Sequence, residues 1–192
     1  MIMDKVKIDP SANAYRLLNP GAVVLITVGD GKKDNLFAVT WNMPVRKEPG
    51  MIAILSGKRH YSYPFIVKTG EFGVNVPDVS IVDAVYGCGT TTGYEVEDKF
   101  SRFGLTRQQS EKIKAPLIKE AVAHLECRVC QMVDLDASSL IIAQILTAAA
   151  NPQHFQKGNW NFENGLQLIH HLGGNRFGVS SQVITAQSPH KK

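Results

Sequence analysis

Long apolar runs are missing from this 192-residue sequence. The longest apolar-rich stretch, 140–150, is interrupted by Gln144 and Thr147, and it is shorter than the roughly 18 apolar residues that a membrane-spanning helix needs. The opening segment carries Asp4, Lys5 and Lys7, which leaves no room for the apolar core of a signal peptide. We therefore expect a cytoplasmic protein without membrane contact.

The sequence also has no segment in which basic or acidic residues are concentrated. The 21 lysine and arginine residues exceed the 17 aspartate and glutamate residues by a net charge of +4, and they are scattered along the chain. A nucleic-acid-binding protein gathers its basic residues into a stripe or patch, so no nucleic-acid partner is predicted. The short basic segment Lys58-Arg59 suits a small anion such as a phosphate ester better.

Cysteine is scarce, and the three residues present cannot all pair with one another. Cys127 and Cys130 lie three apart on a predicted strand and so point to opposite faces, which excludes a shared metal or a ready disulfide. The adjacent His170 and His171 diverge for the same reason, and no metal site is predicted. Cys88, placed in a glycine-rich loop, is interpreted as a bystander, with a reactive thiol near a ligand as the alternative.

Two common catalytic signatures are absent. No serine lies in a G-x-S-x-G motif, which leaves covalent hydrolysis without support. The pair Gly87 and Gly89 follows a helical segment instead of a strand, so it is not a dinucleotide-binding turn. If the chain is an enzyme, a bound cofactor is then the expected centre of its chemistry.

Short runs of β-branched and apolar residues are abundant instead. They predict strands at 22–28, 36–41, 51–56, 72–76, 123–133 and 140–149, the first two joined as a hairpin by the turn that contains Gly31. Helices are predicted at 62–68, at 80–86 with Ser80 and Asp83 as a capping box and Gly87 as its end, and at 106–113. This succession predicts a mainly β (α+β) fold, an antiparallel barrel with short flanking helices. One domain is expected over 1–192, with its core at about 15–182.

Two segments have the composition of a binding site. Ser56, Arg59 and Ser62 lie between a strand and a helix, where hydroxyls, a guanidinium and free backbone N–H groups can hold a phosphate; a solvated turn is the equally weighted alternative. Trp41, between Thr40 and Asn42, offers a wall for a flat ligand or is simply a core residue.

A few further residues add to these segments. Asn35, expected in the preceding turn, offers an amide with both donor and acceptor faces. Lys99 follows the glycine-rich loop and, judged alone, is an ordinary solvated lysine.

Several motifs, in this order, resemble the flavin reductase-like family and its flavoredoxin branch. They are Val23-Val24-Leu25-Ile26-Thr27-Val28, Asn35, Thr40-Trp41-Asn42-Met43-Pro44, the segment 56–61, Gly70-Glu71-Phe72-Gly73-Val74-Asn75-Val76-Pro77 and Asp98-Lys99-Phe100. The resemblance implies a split β-barrel that binds FMN, as a homodimer with the flavin near the subunit interface.

The resemblance also implies roles for individual residues. It places Asn35, Thr40, Trp41 and Asn42 along the isoalloxazine ring, with Phe177 packed near the ring. It places Ser56, Arg59 and Ser62 at the phosphate. Lys99 would approach the flavin, where a cation stabilises negative charge on its reduced form.

Ser138 departs from the family pattern. Relatives often carry a histidine there, beside the reactive face of the flavin, so the substitution puts nicotinamide binding and hydride transfer in question. The resemblance implies an FMN-dependent oxidoreductase that takes electrons from NAD(P)H or from a redox-protein partner. The alternative is a non-catalytic FMN-binding or electron-carrier module, and a cofactor-free β-barrel would require the motifs to match by chance.

Overall fold

The computed structural model describes residues 7–8, 14–18 and 21–187. Most of the opening segment and both ends of the expected domain therefore lie outside the described residues. In chain order the strands and α-helices are β1 (Val24–Gly29), β2 (Asp34–Val39), β3 (Asn42–Arg46), β4 (Met51–Gly57), α1 (Tyr63–Thr69), β5 (Glu71–Val76), α2 (Val82–Thr90), α3 (Lys99–Arg102), β6 (Arg107–Gln108), β7 (Leu117–Ile118), β8 (Ala123–Leu135), β9 (Ser138–Ala150), β10 (Phe155–Gln156), β11 (Asn159–Trp160), β12 (Leu168–Gly173) and β13 (Arg176–Ser180).

The main sheet is antiparallel and has the strand order β2-β1-β5-β8-β9-β4-β3. Its first hairpin, β1–β2, closes as predicted, because Gly31 has a φ of 88° that glycine adopts without a steric penalty. The Asp30 carboxylate accepts hydrogen bonds from the backbone N–H groups of Lys32 and Lys33, both at 3.0 Å. Sequence-local interactions therefore set this turn.

Alternate residues of six strands meet in one apolar core. This core includes Val24, Ile26, Phe37, Ile54, Val74, Cys127 and Ile141. Since side chains alternate between the two faces of a strand, one face of β1, β2, β4, β5, β8 and β9 covers the same core, and the sheet must curl around it. The architecture is thus an antiparallel split barrel, which confirms the predicted fold class.

A second core covers the outer face of β1 and β2. Leu25 and Leu36 pack there against Val85 of α2, Phe100 of α3 and Ile169 of β12. Burial on both faces explains why β1 is a run of apolar and β-branched residues, with Thr27 as its one polar side chain. The same packing holds α2 and α3 against β2, which is the strand that carries the candidate site.

The second predicted helix differs from the observed α2. Gly87 does not end the helix, which continues to Thr90, and a Cβ at Gly87 would overlap the ring of Phe103. The glycine therefore permits close packing and does not act as a stop. The predicted capping box is also wrong, because Asp78 accepts the hydrogen bond from the Ser80 N–H at 3.0 Å, ahead of a short 3-10 turn.

The helix predicted at 106–113 is wrong as well. The segment forms the two-residue strand β6 followed by a loop. The buried Glu126 carboxylate accepts hydrogen bonds from the backbone N–H groups of Glu111, Lys112 and Ile113, at distances between 2.6 and 3.2 Å. A carboxylate from a distant strand thus fixes this loop, a tertiary contact that local sequence does not reveal.

Cys127 is buried and Cys130 is exposed, but the pairing of β8 with β9 shifts register between Val129 and Gln131, so the simple alternation assumed for these two cysteines does not hold at Cys130. Asn35 lies within β2 and is buried, so its expected position in a turn is wrong. Trp41 connects β2 to β3 and is 50% exposed. An ordinary core role is therefore excluded for Trp41.

Candidate functional site

Three adjoining hollows lie along β2, and we call them together the cleft. Their volumes are about 180, 350 and 240 Å³, and Ala38 lies in the wall of all three. The cleft is bounded by the C-terminal end of α2 and by the loop between β4 and α1. Its extent is comparable to that of small-molecule sites, which are about 300–1,000 Å³.

The first hollow is polar and is formed around Asn35, Ser62 and Lys99. The Asn35 amide Nδ2 donates a hydrogen bond to Ser62 Oγ at 2.8 Å. Its Oδ1 is buried and accepts no hydrogen bond from the described residues, although the side chain is only 3% exposed. A buried acceptor without a donor costs about 1–3 kcal/mol, so this atom is suited to receive a donor from a ligand.

Lys99 is the buried cation of the polar hollow. It is 3% exposed, and its Nζ donates to the backbone carbonyls of Leu36 at 3.0 Å and Cys88 at 3.2 Å. Burial lowers the pKa of Lys99 from its ordinary value because desolvation disfavours the charged form. An ammonium has three donors, and one remains for an anion entering this hollow.

Cys88 lies on the buried face of α2 and not in a loop, which corrects the sequence expectation. Burial raises the pKa of the Cys88 thiol to about 12, a rise that the nearby Lys99 charge partly opposes. At neutral pH the sulfur is therefore a protonated, poorly nucleophilic thiol. This favours the bystander interpretation.

The other two hollows are more apolar. One is walled by Val85, Tyr86 and Phe177 and opens beside Thr40. The other is walled by Phe37, Trp41, Leu55, His60 and Ser138. Together they offer aromatic and aliphatic surfaces with few polar atoms, which is the composition that a flat ring system prefers.

Backbone contacts between two loops bring Ser138 to the cleft. Ser138 is the first residue of β9, after a turn in which Asp136 has a φ of 53°. The backbone N–H of Lys58 donates to the Ala137 carbonyl at 2.9 Å, and Lys58 Nζ lies 2.6 Å from an Asp134 carboxylate oxygen. These contacts join the β8–β9 turn to the β4–α1 loop.

Most of the residues predicted for the site line the cleft or the surface groove next to it. They are Asn35, Thr40, Trp41, Asn42, Ser62, Lys99, Ser138 and Phe177. The Asn42 amide is also structural, because its Nδ2 donates to the carbonyls of Ala22 at 2.8 Å and Val39 at 3.3 Å.

Two predicted phosphate residues lie elsewhere. Ser56 is 1% exposed on β4, and its Oγ contacts the Gly57 carbonyl at 3.5 Å. Arg59 is exposed in the following loop and makes no ion pair within the described part of the chain. Neither residue contributes to the walls of the three hollows. Of the predicted trio, Ser62 alone faces the polar hollow.

Part of the lining is not predicted from the sequence. His60 lies in the wall of two hollows, with its ring centroid 6.2 Å from that of Phe37. The segment Thr90-Thr91-Thr92 closes the polar hollow from the end of α2. A predicted helix that continued past Gly87 would have ended at these threonines and so placed them beside the cleft. His60 directly follows Arg59 in the segment proposed for the phosphate, and this adjacency was the sequence signal that could have identified it.

Metal ligands and membrane spans are not found in the part of the chain described. Among those residues, no group of three or more histidine, cysteine, aspartate or glutamate side chains is arranged to hold a metal ion. No helix among them has both the length and the apolar character needed to cross a bilayer.

Solved flavin reductase-like structures share the antiparallel split-barrel fold of this chain. The family model described as "Flavin reductase like domain" matches residues 16–171 of this chain. The chain belongs to this family.

Individual relatives and solved structures resemble the chain over most of its length. The uncharacterized protein YddH of Escherichia coli (strain K12) is 32% identical over 179 residues, covering 91% of this chain and 94% of the relative. The crystal structure of flavoredoxin from Methanosarcina acetivorans superposes with a TM-score of 0.80 at 26% identity, covering 98% of this chain and 97% of that one. An FMN-binding domain of a flavin reductases-like enzyme from Shewanella baltica OS155 has the same TM-score at 24% identity, covering 92% and 94%.

Proposed function

We propose that this protein binds FMN in the cleft and acts as a flavoprotein oxidoreductase. The observation that carries the proposal is the buried, unpaired Asn35 Oδ1, which lies in one hollow with the Lys99 ammonium. An acceptor and a cation in one hollow suit a ligand that brings both hydroxyl donors and a negative charge. The ribityl phosphate of FMN has this combination. Bound FMN supplies hydride and electron transfer that side chains cannot perform.

The unequal chemistry of the cleft suggests the direction in which FMN lies. Lys99, Ser62 and the threonines at the end of α2 suit the phosphate, and Asn35 Oδ1 suits a ribityl hydroxyl. Trp41 and Phe177 line apolar hollows that suit the isoalloxazine ring. This arrangement keeps Trp41 and Phe177 at the ring, moves Asn35 from the ring to the ribityl chain, and transfers the main phosphate charge from Arg59 to Lys99.

Comparing FMN with riboflavin tests both binding and direction, because the two ligands differ by the phosphate. We expect wild-type apoprotein to bind FMN more tightly than riboflavin. Lys99→Gln should weaken FMN by about 10- to 100-fold, as expected for a lost charge-assisted contact, with a smaller effect on riboflavin. Fluorescence quenching titrations measure both constants, with circular dichroism as a check of folding.

Arg59→Gln is the matched comparison, since it removes one nearby cation that is exposed. It should change the FMN affinity by less than about threefold, because exposed charges are screened by solvent. If wild-type protein bound neither ligand, the proposed function would be wrong. If Arg59→Gln lost FMN and Lys99→Gln kept it, the phosphate would lie at the β4–α1 loop instead.

The electron donor is a second part of the proposal. We infer that NADH or NADPH reduces the bound flavin, and a carrier that accepts electrons from a redox protein is the alternative. Ser138 favours the alternative, because it lines the hollow beside Trp41 without the histidine of many relatives. Anaerobic mixing with each nucleotide distinguishes them: bleaching of the flavin absorbance supports the enzyme, and bleaching by dithionite alone supports the carrier.

We further propose that the protein works as a homodimer. Met43 and Val45 expose apolar side chains on β3, an edge strand of the sheet. Beside them a groove of about 460 Å³, lined mainly by apolar residues including Leu55 and Leu140, is continuous with the cleft through Trp41. A second copy that covers this groove would bury apolar surface and close the open side of the cleft.

A further inference from the structure

Arg107 joins two segments that border the polar hollow but does not itself line it. Its Nε and Nη2 donate to the two carboxylate oxygens of Asp34, at 2.8 and 2.9 Å. Its Nη2 also donates to Asp98 Oδ1 at 2.8 Å. The guanidinium carbon lies 4.3 Å from the centre of the Phe100 ring, so the group is held over an aromatic face as well. One side chain thus bridges two carboxylates that are distant in sequence.

Each bridged carboxylate directly precedes a residue of the polar hollow. Asp34 is followed on β2 by Asn35, whose Oδ1 is the unpaired acceptor. Asp98 is followed by Lys99, the buried cation, and caps α3 by accepting a hydrogen bond from the Ser101 N–H at 3.2 Å. Holding Asp34 and Asp98 together therefore holds the backbones of Asn35 and Lys99 together.

We propose that Arg107 is a positioning residue for cofactor binding. It sets the separation between the Asn35 acceptor and the Lys99 ammonium, and this separation sets the affinity for the phosphate-bearing half of the ligand. The inference rests on the proposed function. Asn35 and Lys99 must act on one ligand together, and a small displacement of either costs affinity.

The geometry requires arginine in particular. A guanidinium presents several N–H groups in a fixed plane and can engage two carboxylates at once, whereas a lysine ammonium acts as a compact point charge. The Arg107 side chain is 40% exposed and that of Asp98 is 44% exposed. The Asp34 side chain is 22% exposed, and a bidentate arginine in a network of charges contributes more to stability than an ordinary surface ion pair. Circular dichroism and thermal unfolding therefore check that each Arg107 variant still folds before its affinity is compared.

The experiment compares Arg107→Lys and Arg107→Gln with wild-type apoprotein, with FMN and riboflavin as the probes. Lys68→Gln is the matched control, because it breaks another exposed ion pair, the 2.7 Å contact with Asp30, at a residue that does not line the cleft. We expect both Arg107 variants to weaken FMN by about tenfold, as misplacement of a binding group does. Riboflavin and the control should change by less than about twofold.

Four outcomes would overturn the proposal. If Arg107→Lys bound FMN like wild type, net charge would explain the effect without any bridge. Equal losses of FMN and riboflavin would indicate general loosening of the fold, and so would an equal loss in Lys68→Gln. Unchanged FMN binding in both Arg107 variants would show that the bridge does not matter. Wild-type protein that bound neither probe would instead contradict the proposed function itself.

A double-mutant cycle adds a readout that a purely structural role would not move. If Arg107 acts through Lys99, Arg107→Gln should have almost no further effect on FMN affinity in a Lys99→Gln background. Independent effects that multiply in the double variant would contradict the positioning role.

Discussion

Asn35, Ser62 and Lys99 show how single side chains acquire a role from burial. Each is polar and almost fully enclosed, and such groups are stable only when hydrogen-bonded. The Asn35 Nδ2 group donates a hydrogen bond to Ser62 Oγ, and the Lys99 ammonium donates to two backbone carbonyls. Asn35 Oδ1 and one N–H of Lys99 remain for a ligand. The polar hollow is therefore partly satisfied within the described protein, and it would be fully satisfied by an anion that carries hydroxyl groups.

The three cysteines should differ sharply in reactivity. Burial raises the pKa of Cys88 and of Cys127 to about 12, so at pH 8 only about one thiol in ten thousand is ionised. Cys130 is exposed. We expect one rapidly reacting thiol with a disulfide reagent in the native protein and three after unfolding. Cys130→Ser should abolish the fast phase, and a fast phase that persisted would mean that Cys88 is accessible.

Ser138→His should add an imidazole to the apolar end of the cleft, in addition to that of His60. Ser138 is half-buried on the rim, so FMN affinity should change by no more than about 1 kcal/mol. Histidine has an unperturbed pKa of about 6.5, and the rate of flavin reduction by NAD(P)H should then depend on pH between roughly 5.5 and 7.5. Anaerobic stopped-flow absorbance measures this dependence. Identical pH profiles for variant and wild type would place Ser138 away from the reacting ring.

Helix α2 and strand β2 form the walls of the cleft, and small residues set the space between them. A Cβ at Gly89 would lie only 3.2 Å from the Cβ of Ala38, which is closer than an ordinary van der Waals contact. Gly89 and Ala38 both line the polar hollow and the hollow beside Phe177. The width of the site is therefore fixed by an element-to-element contact.

Enlarging Ala38 should close the cleft while leaving the barrel core intact. Ala38→Leu places three more carbons at the one residue that all three hollows share. We expect FMN affinity to fall by more than about tenfold, with an overpacking cost of about 1–3 kcal/mol in stability. Ala148→Leu on the exposed end of β9 is the control, because it adds the same carbons far from the cleft. Unchanged FMN affinity in Ala38→Leu would show that the ligand binds elsewhere.

At the scale of the whole molecule, the apolar edge at β3 leads to a prediction about assembly. Met43 is 54% exposed on that strand, and a charged residue in its place would have to be desolvated in a dimer interface. Met43→Asp should shift the protein from dimer to monomer in sedimentation equilibrium. Val67→Asp makes the same change at an exposed residue of α1 and should remain dimeric. Wild-type protein that sedimented as a monomer would contradict the homodimer.

Local sequence by itself determined most of the strands of the barrel and identified most of the residues that line the candidate site. The strand runs and the Gly31 turn follow from side-chain alternation and backbone conformation, which act within a few residues. Asn35, Trp41 and Lys99 were identified through motifs whose order along the chain is visible without coordinates.

The tertiary structure alone decided where the polar end of the cleft lies. Gly87 ends a helix by local rules, but it packs against Phe103 and lets α2 continue to the threonines. The sequence indicated Arg59 for the phosphate and Lys99 for the flavin itself, and only the structure shows that Lys99 is buried in the polar hollow while Arg59 is exposed. The Arg107 bridge joins Asp34 to Asp98 across 64 residues, a pairing that depends on how β6 and α3 pack beside β2. Long-range packing and burial, which no local window contains, set these features.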